Sequence, residues 1–174
     1  MMLQTKKAIS LVVAMTQAGG IGLGGKLPWK RIPSDMRRFH RLTKGRDVIM
    51  GRRTYDSICA LLGNPLPGRH SIVMTHGLCP ETTASTTFVN TLQEALDASL
   101  RSNEVFVIGG AEIYETALPY ATRMYVTWVL DEHKADTYFP EWDRGEWMAI
   151  SEGIDTPKEG IPTQCDTYCR IISA

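Results

Sequence analysis

The feature that most restricts this chain is a set of short apolar runs with no polar residue to turn toward water. Val105-Phe106-Val107-Ile108 is one, Val48-Ile49-Met50 another, and Ile9-Ser10-Leu11-Val12-Val13-Ala14-Met15 a third, broken only by a small serine. A strand with one wet face alternates apolar and polar residues, whereas a continuous run suits a strand covered on both faces, as in a parallel sheet. Strand-like runs fall at 8–15, 47–50, 71–75, 87–90, 104–108, 123–130, 146–152 and 165–172, with helical patterns at 33–44, 52–62, 92–100 and 111–118. Pro33 suits a first helical turn, where its missing N–H costs nothing, and Gly45 suits a stop. Thr91 followed by Glu94 has the form of a capping box ahead of Leu92, Ala95, Leu96 and Leu100. Pro119 ends the last helix. Strand and helix alternate to about residue 118, and only strands follow. The expected fold is α/β, a mostly parallel central sheet of about eight strands flanked by about four helices, with an antiparallel C-terminal hairpin. The 174 residues are expected to form a single domain, with 1–7 as an N-terminal extension.

Composition excludes several roles. Nineteen basic and nineteen acidic residues cancel, so no net field draws the chain to nucleic acid or to an anionic membrane. No apolar run approaches the roughly 20 residues of a membrane span. Lys6 and Lys7 ahead of the run 8–15 imitate a short secretory leader, but the run is rich in Val and Ile, contains Ser10 and leads into glycines, as a buried strand does. Cys165 and Cys169 share a strand face without zinc-ligand spacing; with Cys59 and Cys79 they are expected to be reduced thiols of a cytoplasmic protein. His40, His70, His76 and His133 are scattered, and no metal site is expected.

Asp35 is the residue with the most chemical promise. It falls one residue before Met36, four before Phe39 and seven before Leu42, on or beside the apolar stripe of the helix 33–44, while Arg37, Arg38, Arg41 and Lys44 mostly take the other side. Two readings are open. An acid in a first helical turn is ordinary, because the dipole and free N–H groups favour it; an acid turned inward has its pKa raised toward acid–base use.

Three glycine-marked turns follow strands. Gly19-Gly20-Ile21-Gly22-Leu23-Gly24-Gly25 contains the outline of a dinucleotide fingerprint, but Pro28 stands where that fingerprint needs a helix, so the loop reads as a lid or as a plain flexible connection. Met50-Gly51-Arg52-Arg53-Thr54 and Ile108-Gly109-Gly110-Ala111 each join a strand end to a helix start, where backbone N–H groups receive phosphate. Two such turns suit a dinucleotide, and Arg52 and Arg53 add donors for a 2′-phosphate. Leu66-Pro67-Gly68-Arg69 is either a tight connection or a carboxylate clamp.

Taken in order, the run 9–15, Ile21-Gly22, Leu27-Pro28-Trp29, Pro33-x-Asp35, Phe39, Val48-Ile49-Met50-Gly51-Arg52-x-Thr54, Leu66-Pro67-Gly68-Arg69, Ile108-Gly109-Gly110 and Asp136-Thr137-Tyr138-Phe139-Pro140 resemble the dihydrofolate reductase family from about residue 8 to the end. The resemblance implies reduction of 7,8-dihydrofolate by NADPH, with hydride delivered to C6 and a proton to N5, in a monomer that antifolates such as methotrexate would inhibit. It implies that Asp35 binds the pterin and promotes protonation, with Trp29 supporting a water and Leu27 in the loop above. Val12, Val13, Phe39, Ile58, Leu66 and Ile108 would join Leu27 in lining the pterin and benzoyl pocket, Thr127 would bond Asp35, Tyr114 would lie by the reacting rings, and Arg69 would pair with the glutamate carboxylate. For NADPH it implies Ala14, Ile21 and Gly22 at the nicotinamide. It implies Gly51, Arg52, Arg53 and Thr54 with Gly109, Gly110, Ala111, Glu112, Ile113 and Tyr114 at the pyrophosphate, Thr75 and His76 at the 2′-phosphate, and Thr137 as a further contact. Departures are a longer segment at 59–64, His76 where serine is common, and Leu27 in place of methionine. A pyrimidine reductase of riboflavin synthesis and a catalytically silent nucleotide binder of the same fold are the rival readings.

Overall fold

The computed structural model describes residues 7–171, and within them eight strands form one twisted sheet. β1 (Ala8–Thr16), β3 (Asp47–Gly51), β4 (His70–Met74), β5 (Thr86–Val89), β6 (Glu104–Val107), β7 (Arg123–Val129), β9 (Trp147–Asp155) and β10 (Thr163–Arg170) lie in the order β5-β4-β3-β6-β1-β7-β10-β9. Every pair from β5 to β7 is parallel, and β10 is antiparallel to both β7 and β9. The expected sheet and C-terminal hairpin are thus present. Ile172, the predicted end of the last strand, and 1–6 of the predicted extension lie outside the described residues.

The helices are α1 (Pro33–Thr43), α2 (Arg52–Leu62), α3 (Leu92–Ala98) and α4 (Ala111–Ala117). The Thr91 hydroxyl accepts from the Glu94 N–H at 3.2 Å, but the Glu94 carboxylate turns back to the Asn90 N–H at 2.9 Å, one residue earlier than a capping box requires. The longer segment 59–64 is the last turn of α2, closed by Gly63 at φ 75° with its N–H on the Cys59 carbonyl at 2.8 Å.

Strand alternation sorts the core into two layers. Ile9, Leu11, Val13 and Met15 of β1 face a cluster with Ile113 and Ala117 of α4 and Ala95 of α3. Val12, Val48, Met50, Val73 and Phe106 face the other way, against Phe39 and Leu42 of α1 and Tyr55 and Ile58 of α2. Two expectations for α1 fail. Met36 is exposed, and Arg38, assigned to the wet side, is buried. The helix is rotated so that Arg38 reaches Glu152 at 2.6 Å, and that partner makes burial of its charge tolerable.

The glycine-rich loop is in part a strand. β2 (Gly20–Gly22) pairs antiparallel with β8 (Thr137–Tyr138) in a separate two-stranded sheet that periodicity did not reveal. The reason for glycine is close approach: a Cβ on Gly20 would stand 2.7 Å from the Ala135 Cβ, and one on Gly22 would stand 3.1 Å from the Thr137 Cβ.

At the opposite end of the sheet Asp47, fully buried, accepts from His70 Nδ1 at 2.8 Å and from the Arg101 N–H at 2.7 Å, while His70 Nε2 meets Thr87 Oγ1 at 2.9 Å. One carboxylate therefore ties β3, β4, β5 and the segment after α3. Asp47→Ala strands those donors in the core and is expected to cost about 3 kcal/mol, read as a lower urea midpoint at unchanged m-value.

Candidate active site

Asp35 sits in the first turn of α1, half-buried above the sheet. Burial raises its carboxyl above the ordinary 3.8, against the lowering effects of the Thr127 hydroxyl as hydrogen-bond partner and of the Arg38 charge. Thr127 comes from β7 and is buried. Tyr114 comes from α4 and donates its hydroxyl proton to the Val12 carbonyl at 2.7 Å. Its phenol is pushed far up by burial and then by the Asp35 charge, so it remains a neutral donor. An acid of raised proton affinity therefore stands beside fixed donors and an apolar floor.

That floor is one cluster. Val12, Phe39, Ile58, Leu66 and Ile108, all expected in the pocket, pack together. Val13 is a correction: its side chain joins the cluster on the opposite face of the sheet, because neighbours along a strand point to opposite sides. Trp29 is buried with Ile32 and Val129 beside Ala14, and its ring meets His133 edge-on at 5.8 Å. Leu27 is 56% exposed in the segment between β2 and α1, and Ile21 packs on the core from β2.

The two strand-to-helix glycine turns lie side by side because β3 and β6 are neighbours. The Gly51 N–H donates to the Gly109 carbonyl at 2.8 Å. A Cβ on Gly51 would come within 3.0 Å of Ile113, and one on Gly109, at φ 115°, within 3.2 Å of the Tyr114 ring. Thr54 Oγ1 stands 3.4 Å from where a Gly110 Cβ would be. The missing side chains thus let Ile113, Tyr114 and Thr54 close on the two turns and bring the starts of α2 and α4, at Arg52 and Ala111, together, and paired helix starts of this kind suit a pyrophosphate. Arg52 is exposed, paired with Asp56 at 2.9 Å and laid over the Phe88 ring at 5.6 Å; Arg53 is exposed beside it. His76 meets Glu112 at 3.0 Å, both exposed, next to half-buried Thr75. Thr137 is on β8, bonded to Asp136 at 2.9 Å.

Arg69 is buried over the Phe39 ring. Its Nε donates to Thr43 Oγ1 at 3.1 Å and its Nη1 to the Pro67 carbonyl at 2.7 Å, while Nη2 has no acceptor among the described residues. Burial lowers its pKa from the ordinary guanidinium value, and a guanidinium so placed still carries its charge. A cation held in place with its Nη2 donors free suits an incoming carboxylate.

Several residues escaped the sequence reading. Arg38 and Cys165 meet the Thr127 hydroxyl, Glu152 holds Arg38, and Asp136 pins the glycine loop. Two left a trace: Arg38, one helical turn after Asp35 and hence on its face, and Asp136, inside a motif of the resemblance though with no role assigned to it. The others reach the site through strand pairing distant in the chain.

Comparison with known proteins gives one consistent answer. The family model described as "Dihydrofolate reductase" matches residues 8–170. The chain is 39% identical over 154 residues to the dihydrofolate reductase of Bacillus subtilis, covering 88% of each protein. It is 36% identical over 159 residues to the dihydrofolate reductase type 3 of Salmonella typhimurium, covering 91% of this chain and 94% of that one. Dihydrofolate reductase HdrB of Haloferax volcanii is 40% identical over 143 residues, 79% of this chain and 73% of its own. The chain belongs to the dihydrofolate reductase family, and with it to the oxidoreductases that use a nicotinamide cofactor.

Asp136 Oδ2 accepts the Gly24 N–H at 2.8 Å, and the Asp136 N–H donates to the Gly22 carbonyl at 2.9 Å. The Gly24 bond, followed by that from Thr137, holds the Asp136 carboxyl below its ordinary 3.8. A depressed carboxylate stabilises the fold above its unfolded pKa and loses that contribution only as pH falls through the folded value, so the tether is intact throughout the neutral range. Asp136→Ala is expected to lower turnover several-fold with little change in global stability, measured by steady-state kinetics beside thermal melts.

Proposed function

We infer that this member of the family reduces 7,8-dihydrofolate to 5,6,7,8-tetrahydrofolate with NADPH, and that Asp35 is the acid on which the reaction turns. The observation that carries this reading is a desolvated carboxyl next to Thr127 and Tyr114, at the end of an apolar cluster and near two bare glycine turns. The turns, with Arg52, Arg53, Thr75 and His76 nearby, would hold the dinucleotide phosphates. Bound there, the nicotinamide supplies the hydride. Asp35 would bind the amino-pyrimidine edge of the pterin and favour a proton at N5. Phe39, Ile58, Leu66 and Ile108 would cover the pterin and benzoyl rings, and Arg69 would take the α-carboxylate of the glutamate. The glycine loop, clasped by Asp136, would exclude water. Free thiols at Cys59, Cys79, Cys165 and Cys169 support a reducing, cytoplasmic setting, and we take the protein to act as a monomer.

The direct test is loss of NADPH absorbance on adding dihydrofolate, arrested by methotrexate. A riboflavin-pathway pyrimidine as the only substrate would overturn the reading.

Asp35→Asn removes the proton site while keeping shape. At neutral pH kcat/KM is expected to fall by about 100-fold or more, NADPH affinity to change little, and activity to recover in part in acid, where the substrate protonates unaided. The raised proton affinity of Asp35 means that burial of its charge costs stability at neutral pH and that stability is regained as pH falls. The Asn variant should therefore melt no lower than the parent at pH 7.

Arg69→Ala is expected to weaken dihydrofolate and methotrexate by about 10- to 100-fold, and to spare diaminopyrimidine inhibitors that lack the glutamate. Titration of both ligand classes checks it; equal losses would remove Arg69 from the clamp.

A further inference from the structure

Arg38 is one turn along α1 from Asp35 and has no part in the reading above. It is buried, which an arginine accepts only with partners. Nη2 donates to Glu152 on β9 at 2.6 Å and, more weakly, to the Asp166 carbonyl of β10 at 3.4 Å; Nε donates to Glu152 at 3.4 Å. The guanidinium lies over the Tyr125 ring of β7 at 5.7 Å. Nη1 donates to Thr127 Oγ1 at 3.4 Å. A threonine hydroxyl has a single proton. When its oxygen accepts from Arg38, that proton is free for the Asp35 carboxyl. Strand pairing aligns the place: Ala14 of β1 pairs with Thr127, and Thr127 with Cys165 of β10.

We propose that Arg38, held by Glu152, is a positioning residue that orients the Thr127 hydroxyl toward Asp35 and sets, through its own charge, the pH at which reduction declines. This rests on Asp35 being the acid of the reaction. Every group facing that acid has a known sign. On α1 Arg38 favours the carboxylate, as does Thr127 on β7; Tyr114 on α4 is neutral. Cys165 on β10 stays a thiol, because burial raises it above its ordinary 9.0 against the pull of Arg38 and Thr127. Glu152 opposes Arg38. Burial alone would raise its carboxyl, but hydrogen bonds from Arg38 and Thr167, with the charges of Arg38 and Arg41, hold it below 4.5, so it is ionised at neutral pH. The Asp166 carboxylate is occupied by Trp128 Nε1 at 2.9 Å. Asp35 thus faces a cation whose influence a second carboxylate, one-third exposed, tempers.

The two ends of this pair have opposite effects, which a purely structural role does not reproduce. Arg38→Met removes the cation and moves the decline of kcat/KM to higher pH by about one unit, the low end expected for one neighbouring charge. Glu152→Gln leaves the cation less balanced and moves the decline to lower pH. Arg38→Lys restores most of the parent profile. The carboxyl carbon of Asp35, followed by carbon-13 NMR in the enzyme without substrate, shifts with the same signs, and thermal melts report any loss of fold separately. Shifts of one sign in both variants, or none in either, would overturn the proposal. If Arg38→Met does not fold, Glu152→Gln decides alone: a downward shift supports it, and none or an upward one overturns it. Asp35→Asn separates the two levels. Should the limb persist at the parent midpoint in that variant, Asp35 is not the titrating acid and both readings fall; should it leave that midpoint, with only the recovery in acid remaining, while Arg38 and Glu152 variants keep the parent midpoint, only the role of Arg38 falls.

Discussion

Parallel pairing of β1 between β6 and β7 positions everything else in the site. On one side β6 ends in Gly109-Gly110 and shares its neighbour β3 with the turn at Gly51, so two bare backbone turns meet. On the other side β7 carries Thr127 level with Ala14, directly under the start of α1. A slip of one residue in that pairing would turn Val12 and Thr127 to the wrong face and scatter the pocket. Fully buried Leu11, Val105, Val107, Met124 and Val126 oppose such a slip, since each would have to trade places with a residue of the other face.

Asp35 shows the cost of function in this setting. The apolar layer that stabilises the sheet also desolvates the one carboxyl to which we assign the chemistry. Arg38 limits that cost without removing it. Its charge is kept in the protein by Glu152, which in turn ties α1 to the C-terminal hairpin. The same hairpin therefore completes the sheet and adjusts the acid. Asp47, by contrast, is a buried carboxylate with both oxygens engaged by structure. Burial alone does not mark a functional acid; an apolar opening beside it does.

Much of the architecture could be read from the chain. Continuous apolar runs located the eight strands of the main sheet to within two or three residues at most ends, and helix punctuation by Pro33, Thr91 and Pro119 located α1, α3 and the end of α4. The site was read as a set of motifs: Asp35, the glycine turns, the Pro67-Gly68-Arg69 turn. Less accessible was β2 with β8, because three residues of glycine-rich backbone carry no periodic signal and pair with a segment more than a hundred residues later.

Local chemistry, then, is what the amino-acid sequence determined by itself: which segments extend, which coil, where glycine leaves a strand-to-helix turn without side chains, and which family the motifs resemble. Tertiary structure alone decided the facing of side chains between elements. It buried Arg38 and exposed Met36, sent Val13 away from Val12, and brought Glu152 to Arg38 and Cys165 to Thr127. The physical reason is that helical rotation and strand register are set by the summed burial and pairing of many distant residues. A charge can take an inward position only when that sum delivers its partner, and no local stretch of sequence contains the partner.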